Sequence, residues 1–471
     1  MAKPVDMIEA TPRPPAALLH GRQAVALVGT LILGVLSYQL NATMISPVLP
    51  VIASDLHASL VDIARVSSYF FLAGAIGGVV LSRWSDFVGR RRMLIMVLVV
   101  LLVGTVLCIW APNLTVLLIG RILQGACSAA FQLAYIILRE ALSLEVFGTT
   151  IGVITAVSGG AAGVDGYLGA FLSGHFGFRS VFTVIFAVGA LGLTCVMWTV
   201  PKDKPSTIAG KMDWWGATAL SAVLICMTLL VSRGATLGWS SLGTCAYVVS
   251  CLLALAVFVL IERSTKTPLI AVQHLISRQV WPIIVTTLLA LTGIFAFLNF
   301  SIVILSQNRV IGFGLSPATA ALLFLAPPAL IGCASAPASG WLAGHLGWLR
   351  ILRGGLLLCV GALLLIAFMP RNYPVVLVGV AVFGITYYGL ALTALNGLGV
   401  LLSPRDAPAA LPGLNGAAFG IGASLGIAIV APFVAKGTLA GYEAAMWISV
   451  GVTCGALVTS LLIKPHPGQQ L

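Results

Sequence analysis

The amino-acid sequence predicts an all-α polytopic membrane protein, and two observations carry this prediction. The 471-residue chain is 59% hydrophobic but only 8% charged, with a mean hydropathy of +1.09, whereas soluble domains carry roughly a quarter charged residues. Apolar stretches of about twenty residues recur along the whole chain, and each is long enough to cross a hydrocarbon layer of roughly 30 Å. The sequence therefore falls outside the class of soluble globular proteins.

Glycine, proline and polar residues separate the apolar stretches into fourteen predicted spans. With an even number of spans, both termini lie on the same side of the membrane. The predicted bounds are 24–46, 62–82, 93–111, 115–138, 148–172, 179–200, 214–232, 243–262, 280–305, 316–343, 350–369, 373–401, 409–435 and 442–463.

The distribution of basic residues sets the predicted orientation. Of the 25 Lys and Arg residues, eighteen fall in termini and loops on one side, five on the other, and Arg65 and Arg121 lie inside spans. Because basic loops face the cytoplasm, we predict cytoplasmic N- and C-termini and a multi-pass protein of the inner (cytoplasmic) cell membrane. The net charge of +12 then reflects membrane topology, and we expect no nucleic-acid partner.

The predicted spans fall into two halves with an insertion between them. We predict a cytoplasmic tail (1–23), an N-terminal six-helix bundle (24–200), cytoplasmic linkers with two extra central transmembrane helices (201–279), a C-terminal six-helix bundle (280–463) and a second cytoplasmic tail (464–471). Transporters are commonly built from repeated halves, with the substrate site at their interface near the bilayer midplane.

The loop after the second predicted span has the sequence SRWSDFVGRRRML, residues 82–94. Asp86 lies four residues before three arginines, so its carboxylate can pair with a guanidinium across the turn. This spacing resembles motif A of the major facilitator superfamily, and a weaker second copy, GWLAGHLGWLR (340–350), follows the tenth span. Motif A acts in that superfamily as a conformational latch between bundles. The resemblance implies this role for Asp86, Arg90 and Arg91, with Gly89 at the turn between them.

Polar side chains follow one face of the fourth predicted span, RILQGACSAAFQLAYIILRE. A charged side chain inside a span usually faces a water-filled cavity or a partner, although an arginine near the start of a span can also extend to the interface. The continuing polar stripe favours the cavity. The stretch resembles motif B of the superfamily, whose arginine is implicated in proton coupling in antiporters. The residues of the stripe are Arg121, Gln124, Ser128, Gln132 and Tyr135, spaced three or four apart.

Asp165 is the one acid among thirteen that lies well inside a predicted span. It interrupts the glycine-rich stretch SGGAAGVDGYLG, whose glycines permit close helix packing. The stretch resembles the antiporter motif C, with Asp165 at the position of a glycine and Gly166 at that of the helix-bending proline. The antiparallel fourth and fifth spans place Asp165 and Arg121 at similar depth. We expect either a static ion pair or a proton switch, in which the acid exchanges a proton as the arginine changes partner.

Two further stretches resemble the fourteen-helix drug:proton antiporters. In the first span, YQLNATMISPVLPVIASDL is similar to the signature of that subfamily, but Asn41 stands in the place of its acid. KMDWWGATAL, LVSRGATLGWSS and FVLIERSTKTPLI resemble elements of its central helices. The resemblance covers nearly the whole chain. It implies the major facilitator fold, with two six-helix bundles plus two extra central helices, working by alternating access.

Polar and aromatic residues at mid-span are candidates for the substrate site, although each suits a helix–helix hydrogen bond equally well. Amide and aromatic linings without carboxylates suit amphiphilic or weakly charged solutes. Including the fourth-span residues, the candidates are Tyr38, Asn41, Gln124, Gln132, Tyr135, Phe297, Asn299, Thr386, Thr393 and Asn396.

These features lead us to expect a monomeric secondary active transporter in the lipid bilayer. It would export small amphiphilic molecules or drugs in exchange for protons, by alternating access. One alternative is a metabolite-specific exporter or importer without the usual proton coupling, because Asn41 replaces the signature acid; another is a non-transporting membrane sensor. We expect no enzyme activity, no metal site and no cofactor beyond the proton gradient as energy source. The chain has no phosphate-binding G-x-x-x-x-G-K motif and no metal-ligand spacing of Cys or His.

Overall fold

The structure, a computed structural model, describes residues 19, 21–45, 48–58, 60–203, 211–238, 241–265, 268–269, 275–315, 317–404 and 407–464. Within these residues the regular elements are helices, and thirteen are long and apolar enough to cross a membrane, or fourteen when a bent helix is counted as one span. Their bounds are α1 Arg22–Thr43, α2 Leu60–Val88, α3 Arg90–Ile109, α4 Leu114–Ala141, α5 Leu144–Phe176, α6 Phe178–Thr199, α7 Trp214–Leu237, α8 Leu242–Ser264, α9 Trp281–Gln307, α10 Leu322–Leu346, α11 Trp348–Phe368, α12 Tyr373–Leu401, α13 Ala410–Val434 and α14 Leu439–Leu461.

Each predicted span corresponds to one of these helices, so the fourteen-span prediction is confirmed. Several helices begin where a short polar side chain accepts a hydrogen bond from the first helical turn, which satisfies backbone N–H groups that have no partner inside the helix. These capping residues are Asn113 before α4, Asp213 before α7, Ser241 before α8, Asn372 before α12 and Thr438 before α14.

Helices α1–α6 pack with one another, as do α9–α14, and this arrangement gives two bundles. The two copies of the motif A sequence end in the same backbone turn. Gly89 precedes α3 with φ +108°, and Gly347 precedes α11 with φ +98°. Only glycine adopts this conformation without strain, so the internal repeat seen in the sequence is also present in the backbone.

The two extra helices are central in the sequence but peripheral in the fold. Helix α7 packs against both α2 and α13, whereas α8 packs against α7. Trp214 at the start of α7 contacts Trp84 of α2, with ring centroids 5.1 Å apart. Helix α8 directs exposed apolar side chains such as Leu252 and Leu253 outward, which suits contact with lipid.

The two bundles meet closely on the side that carries the basic α2–α3 turn, here called the basic side. Gly148 and Gly152 of α5 pack against the main chain of Gly340 and Ala336 of α10. Small residues at such contacts allow two helix backbones to approach closely. Helices α2 and α13 meet on the same side. We refer to the α5–α10 contact as the seam, and it closes the basic side of the interface in this conformation.

Helices α5, α9 and α12 depart from regular α geometry near the middle of the molecule. Helix α5 bends by 43° between Val146–Gly160 and Asp165–Phe176, although the proline of the related motif is absent; glycine-rich sequence is itself a cause of kinks. Helices α9 and α12 contain π-helical turns at 291–295, 297–301 and 384–392. Such turns occur often at functional sites, and here they bring Asn299 and Tyr388 to the bundle interface.

Candidate functional site

Arg121 of α4 is fully buried and hydrogen-bonded to uncharged groups. Its guanidinium donates to the Asn41 side chain (3.2 Å), the Asn41 carbonyl (3.1 Å), the Val66 carbonyl (3.2 Å) and the Gln124 side chain (2.9 Å). The same group lies 4.1 Å from the centroid of the Phe70 ring, a distance at which a cation is attracted to the ring face. The positive charge of Arg121 is therefore stabilised by carbonyl and amide dipoles and by the Phe70 ring, and not by a carboxylate.

The polar contacts of Arg121 continue into neighbouring helices. Gln124 donates to the Thr105 hydroxyl of α3 at 3.0 Å, and the amide of Asn41 donates to the Ser37 carbonyl at 2.9 Å. Tyr38 stacks on Phe70 with centroids 5.3 Å apart. Four helices therefore share one buried network, which brings together the sequence-predicted residues Tyr38, Asn41, Arg121 and Gln124.

Asp165 is the buried carboxylate at the start of the outer segment of α5, with 3% of its surface exposed. One of its oxygens accepts a hydrogen bond from the Thr43 hydroxyl at the end of α1. The other oxygen is buried and has no hydrogen-bond partner among the residues that the structure describes. One turn further along α5, Gly169 lies against the main chain of Met44, so the outer half of α5 is attached to the end of α1.

The expected ion pair between Asp165 and Arg121 is not formed in this structure. Arg121 contacts Asn41 and Asp165 contacts Thr43, which are two positions apart on α1. Residues at that spacing on a helix point in nearly opposite directions. Helix α1 therefore lies between the two charged groups, and in this conformation each is held by α1 instead of by the other.

A small cavity of about 30 Å³, open on one side, lies near the middle of the bundle interface. Two polar side chains line it, Asn299 of α9 and Tyr388 of α12, and Gly159 of α5 contributes the face of the other bundle. Its remaining lining is apolar and comprises Leu298, Phe324, Leu325, Pro328 and Ala329. The site is small, largely apolar and uncharged, with a few placed polar groups, as ligand sites commonly are.

Three C-terminal candidates do not reach this cavity. Phe297 is fully buried and packs on Phe383 with centroids 5.9 Å apart. Thr386 and Thr393 are buried and donate to carbonyls of their own helix. A mid-span position in the sequence does not fix the direction of a side chain, so the proposal that these three face substrate is not supported in this conformation.

Three other candidate side chains lie at contacts between helices. Asn396 donates to the Thr155 hydroxyl of α5 at 3.1 Å, a hydrogen bond that joins the two bundles. The amide of Gln132 lies against Gly416 of α13, so this side chain is also at the interface. Tyr135 is buried in the hydrophobic core of the bundles.

The motif A turn forms the expected charged cluster. Asp86 pairs with Arg90 and with Arg83, both at 2.5 Å. The carboxylate of Asp203, in the segment after α6, accepts hydrogen bonds from the backbone N–H of Arg91 (2.8 Å) and Arg92 (3.0 Å). These contacts tie the turn to its own bundle, and Arg83 also reaches the Pro268 carbonyl of the linker before α9 at 3.4 Å.

Several residues of the site were not among the sequence candidates. Thr155 is an isolated hydroxyl in an apolar helix, and hydroxyls that hydrogen-bond their own helix are common there, so the sequence alone gives no signal for it. Thr43 had a signal, because it matches a threonine of the antiporter signature in the first span. Tyr388 had a usable signal, because it adjoins a second tyrosine, Tyr387, at mid-span. Phe70 had none, since an aromatic residue in a span is ordinarily core.

Both the sequence and the fold of this chain are similar to those of known proteins. The family model of the Major Facilitator Superfamily matches residues 31–427. The chain belongs to this superfamily. It is thus a multi-pass secondary transporter of the major facilitator type, as the motif resemblance implied. A solved structure of the human organic anion transporter MFSD10 has the same fold, with a TM-score of 0.66 at 16% identity, covering 94% of this chain and 100% of the human one.

Two bacterial relatives differ in the activity that their names state. The chain is 36% identical to the uridine/deoxyuridine transporter of Lactococcus lactis over 421 residues, 86% of either chain. It is 26% identical over 436 residues to the tetracenomycin C resistance and export protein of Streptomyces glaucescens, 90% of this chain and 78% of that protein. The resemblance to drug antiporters is therefore present but more distant than the resemblance to a nucleoside transporter.

Proposed function

We propose that this major facilitator transporter carries a small, uncharged polar metabolite of the nucleoside class across the cytoplasmic membrane. The cavity carries the proposal, because among the described residues an amide and a phenol hydroxyl are its polar groups and no charged side chain lines it. A nucleoside presents a flat base and several hydrogen-bonding groups without net charge, so it needs no counter-ion in such a site. The 36% identity to a uridine/deoxyuridine transporter supports the same class.

We propose further that Asp165 couples transport to protons. The single proton of the Thr43 hydroxyl has two acceptors, the Gln39 carbonyl at 2.9 Å and the Asp165 carboxylate. When Asp165 carries a proton, both links can form together; when it is ionised, Thr43 can donate to one acceptor only. Gain or loss of a proton therefore changes how firmly α5 is held to α1, which is a physical route from protonation to bundle movement.

The proposal places both termini in the cytoplasm, as the basic loops predict, and a monomer as the working unit.

The decisive experiment is uridine flux in proteoliposomes under an imposed pH gradient. Native protein should accumulate labelled uridine beyond equilibrium. Asp165→Asn should lose this accumulation but keep uridine exchange at equal pH on both sides. Asp55→Asn, which changes an exposed carboxylate of the short helix Leu49–Asp55, is the matched control and should resemble native protein. Gradient-driven accumulation by Asp165→Asn would contradict proton coupling through this residue, and absence of uridine flux in native protein would contradict the substrate class.

Export of amphiphilic drugs is the second candidate, favoured by the 26% identity to an antibiotic export protein across most of both chains. The same vesicles distinguish the two. A nucleoside carrier should show uridine flux that planar polycyclic compounds do not inhibit, whereas a drug exporter should show flux of those compounds that uridine does not inhibit.

A further inference from the structure

We propose that Asn299 and Tyr388 form a recognition subsite for the hydrogen-bonding edge of a uracil-type base. The cavity of about 30 Å³ is smaller than a uracil ring in this conformation, so the base occupies its apolar part once the bundle interface opens. The inference rests on the proposed nucleoside transport and adds to it the part of the substrate that is recognised and the residues that recognise it.

The orientation of the Asn299 amide is fixed by its own helix. Its Nδ2 donates to the Phe295 carbonyl at 3.1 Å, and a carbonyl oxygen can only accept. The amide nitrogen therefore points toward the helix backbone, and the Oδ1 oxygen lies on the other edge of the group. Since Asn299 lines the cavity, Oδ1 is an acceptor that a ligand N–H can reach.

Tyr388 supplies a hydroxyl next to this amide. The hydroxyl lies near the Asn299 side chain, and both residues line the cavity. Because a hydroxyl rotates and can donate as well as accept, it can donate to a ligand carbonyl while Asn299 accepts from the neighbouring N–H. The pair thus offers an acceptor and a donor side by side.

The ring of Tyr388 is held by glycines on both bundles. A Cβ added at Gly159 would lie 3.0 Å from a ring carbon, and one added at Gly332 would lie 2.7 Å from the Tyr388 Cβ. Neither position has room for a larger residue unless the tyrosine moves. The hydroxyl is therefore aimed by packing, which lowers the ordering cost of binding.

A uracil ring matches this pair. Its N3–H lies between two carbonyls, so a donor and an acceptor occupy adjacent positions on one edge. In that placement Asn299 Oδ1 accepts from N3–H, and Tyr388 donates to a carbonyl beside it. Leu298, Phe324 and Pro328 provide apolar surface for the flat faces of the base. A cytosine in the same placement presents an unprotonated N3 to Oδ1, so two acceptors would face each other, which is unfavourable.

The test combines a variant with a ligand analogue. In proteoliposomes, competition against labelled uridine is measured for uridine and for 3-methyluridine, which lacks the N3–H. With native protein, uridine should compete roughly 3- to 10-fold better, the range expected for one net hydrogen bond. In Asn299→Leu this difference should disappear, because uridine weakens while 3-methyluridine does not. Tyr388→Phe, which removes only the hydroxyl, should raise the KM for uridine by a similar factor with kcat retained.

The outcomes separate this subsite from the transport function. If native protein carries uridine but does not distinguish 3-methyluridine, or if Asn299→Leu keeps the distinction while folding normally, the subsite is wrong and the nucleoside function remains. If native protein carries no nucleoside, the proposed function is wrong and the subsite falls with it. Tyr388→Phe is the conservative second variant, so loss of folding in Asn299→Leu alone does not remove the test.

Discussion

The closed seam on the basic side predicts that one methyl group shifts the conformational equilibrium of the protein. A Cβ added at Gly152 would lie 2.7 Å from the carbonyl carbon of Ala336 and 2.7 Å from the Cα of Pro337. Both atoms belong to the main chain, so rotation of a side chain cannot relieve the overlap. In Gly152→Ala the two helices must separate, which opens the seam.

The expected magnitude follows from the cost of overpacking. Such contacts typically cost about 1–3 kcal/mol, which corresponds to roughly a 5- to 150-fold change in an equilibrium. Gly174 is the matched control, because it lies in the same helix α5 and an added Cβ has no atom within 4 Å. Alanine also favours a helix over glycine, so Gly174→Ala should not destabilise the closed conformation.

Cys333 reports on the seam without an added label. Its thiol donates to the Ala156 carbonyl across the interface at 3.2 Å and is partly shielded in the closed conformation. Maleimide modification of purified protein, followed by peptide mass spectrometry, should give at least a fivefold faster rate at Cys333 in Gly152→Ala. Exposed Cys245 serves as an internal reference. Equal Cys333 rates in native protein and a well-folded Gly152→Ala would refute the reasoning.

Two further predictions concern the turn and the bundle interface. Gly89→Ala should lower stability by about 1–3 kcal/mol, because φ +108° strains any other residue; thermal unfolding checks this against Gly354→Ala, where an added Cβ meets nothing within 4 Å. Thr155→Val removes the hydrogen bond that Asn396 donates across the interface and should speed Cys333 modification about fivefold, near the middle of the range for one net hydrogen bond. If the hydrogen bond acts as inferred, adding Asn396→Leu to Thr155→Val should change the rate little, whereas additive effects would contradict it.

The residues proposed for proton coupling and those proposed for substrate recognition lie in different bundles. Asp165 and its partner Thr43 join two helices of one bundle, whereas Asn299 and Tyr388 belong to the other bundle and meet Gly159 across the interface. A carrier that couples two solutes needs both sites to respond to the same bundle movement. The bend in α5, which lies between Gly159 and Asp165, is the element common to both.

The sequence by itself determined the fourteen spans, the two halves and the charged motif A turn. Each depends on residues that are close together in the chain. A span needs about twenty apolar residues in a row, and the turn at Gly89 needs a glycine and charges within a few positions. The sequence also singled out Arg121 and Asp165 as charges inside spans, and the structure buries both.

Only the tertiary structure decided which partners those charges have. Depth along a helix can be counted from the sequence, which placed Arg121 and Asp165 at a similar level. The rotation of each helix and the identity of the helix between them depend on packing across the whole bundle. In the folded protein α1 lies between the two charged groups, so Arg121 contacts Asn41 and Asp165 contacts Thr43. The packing also buries Phe297 in the core, whereas Asn299 faces the cavity.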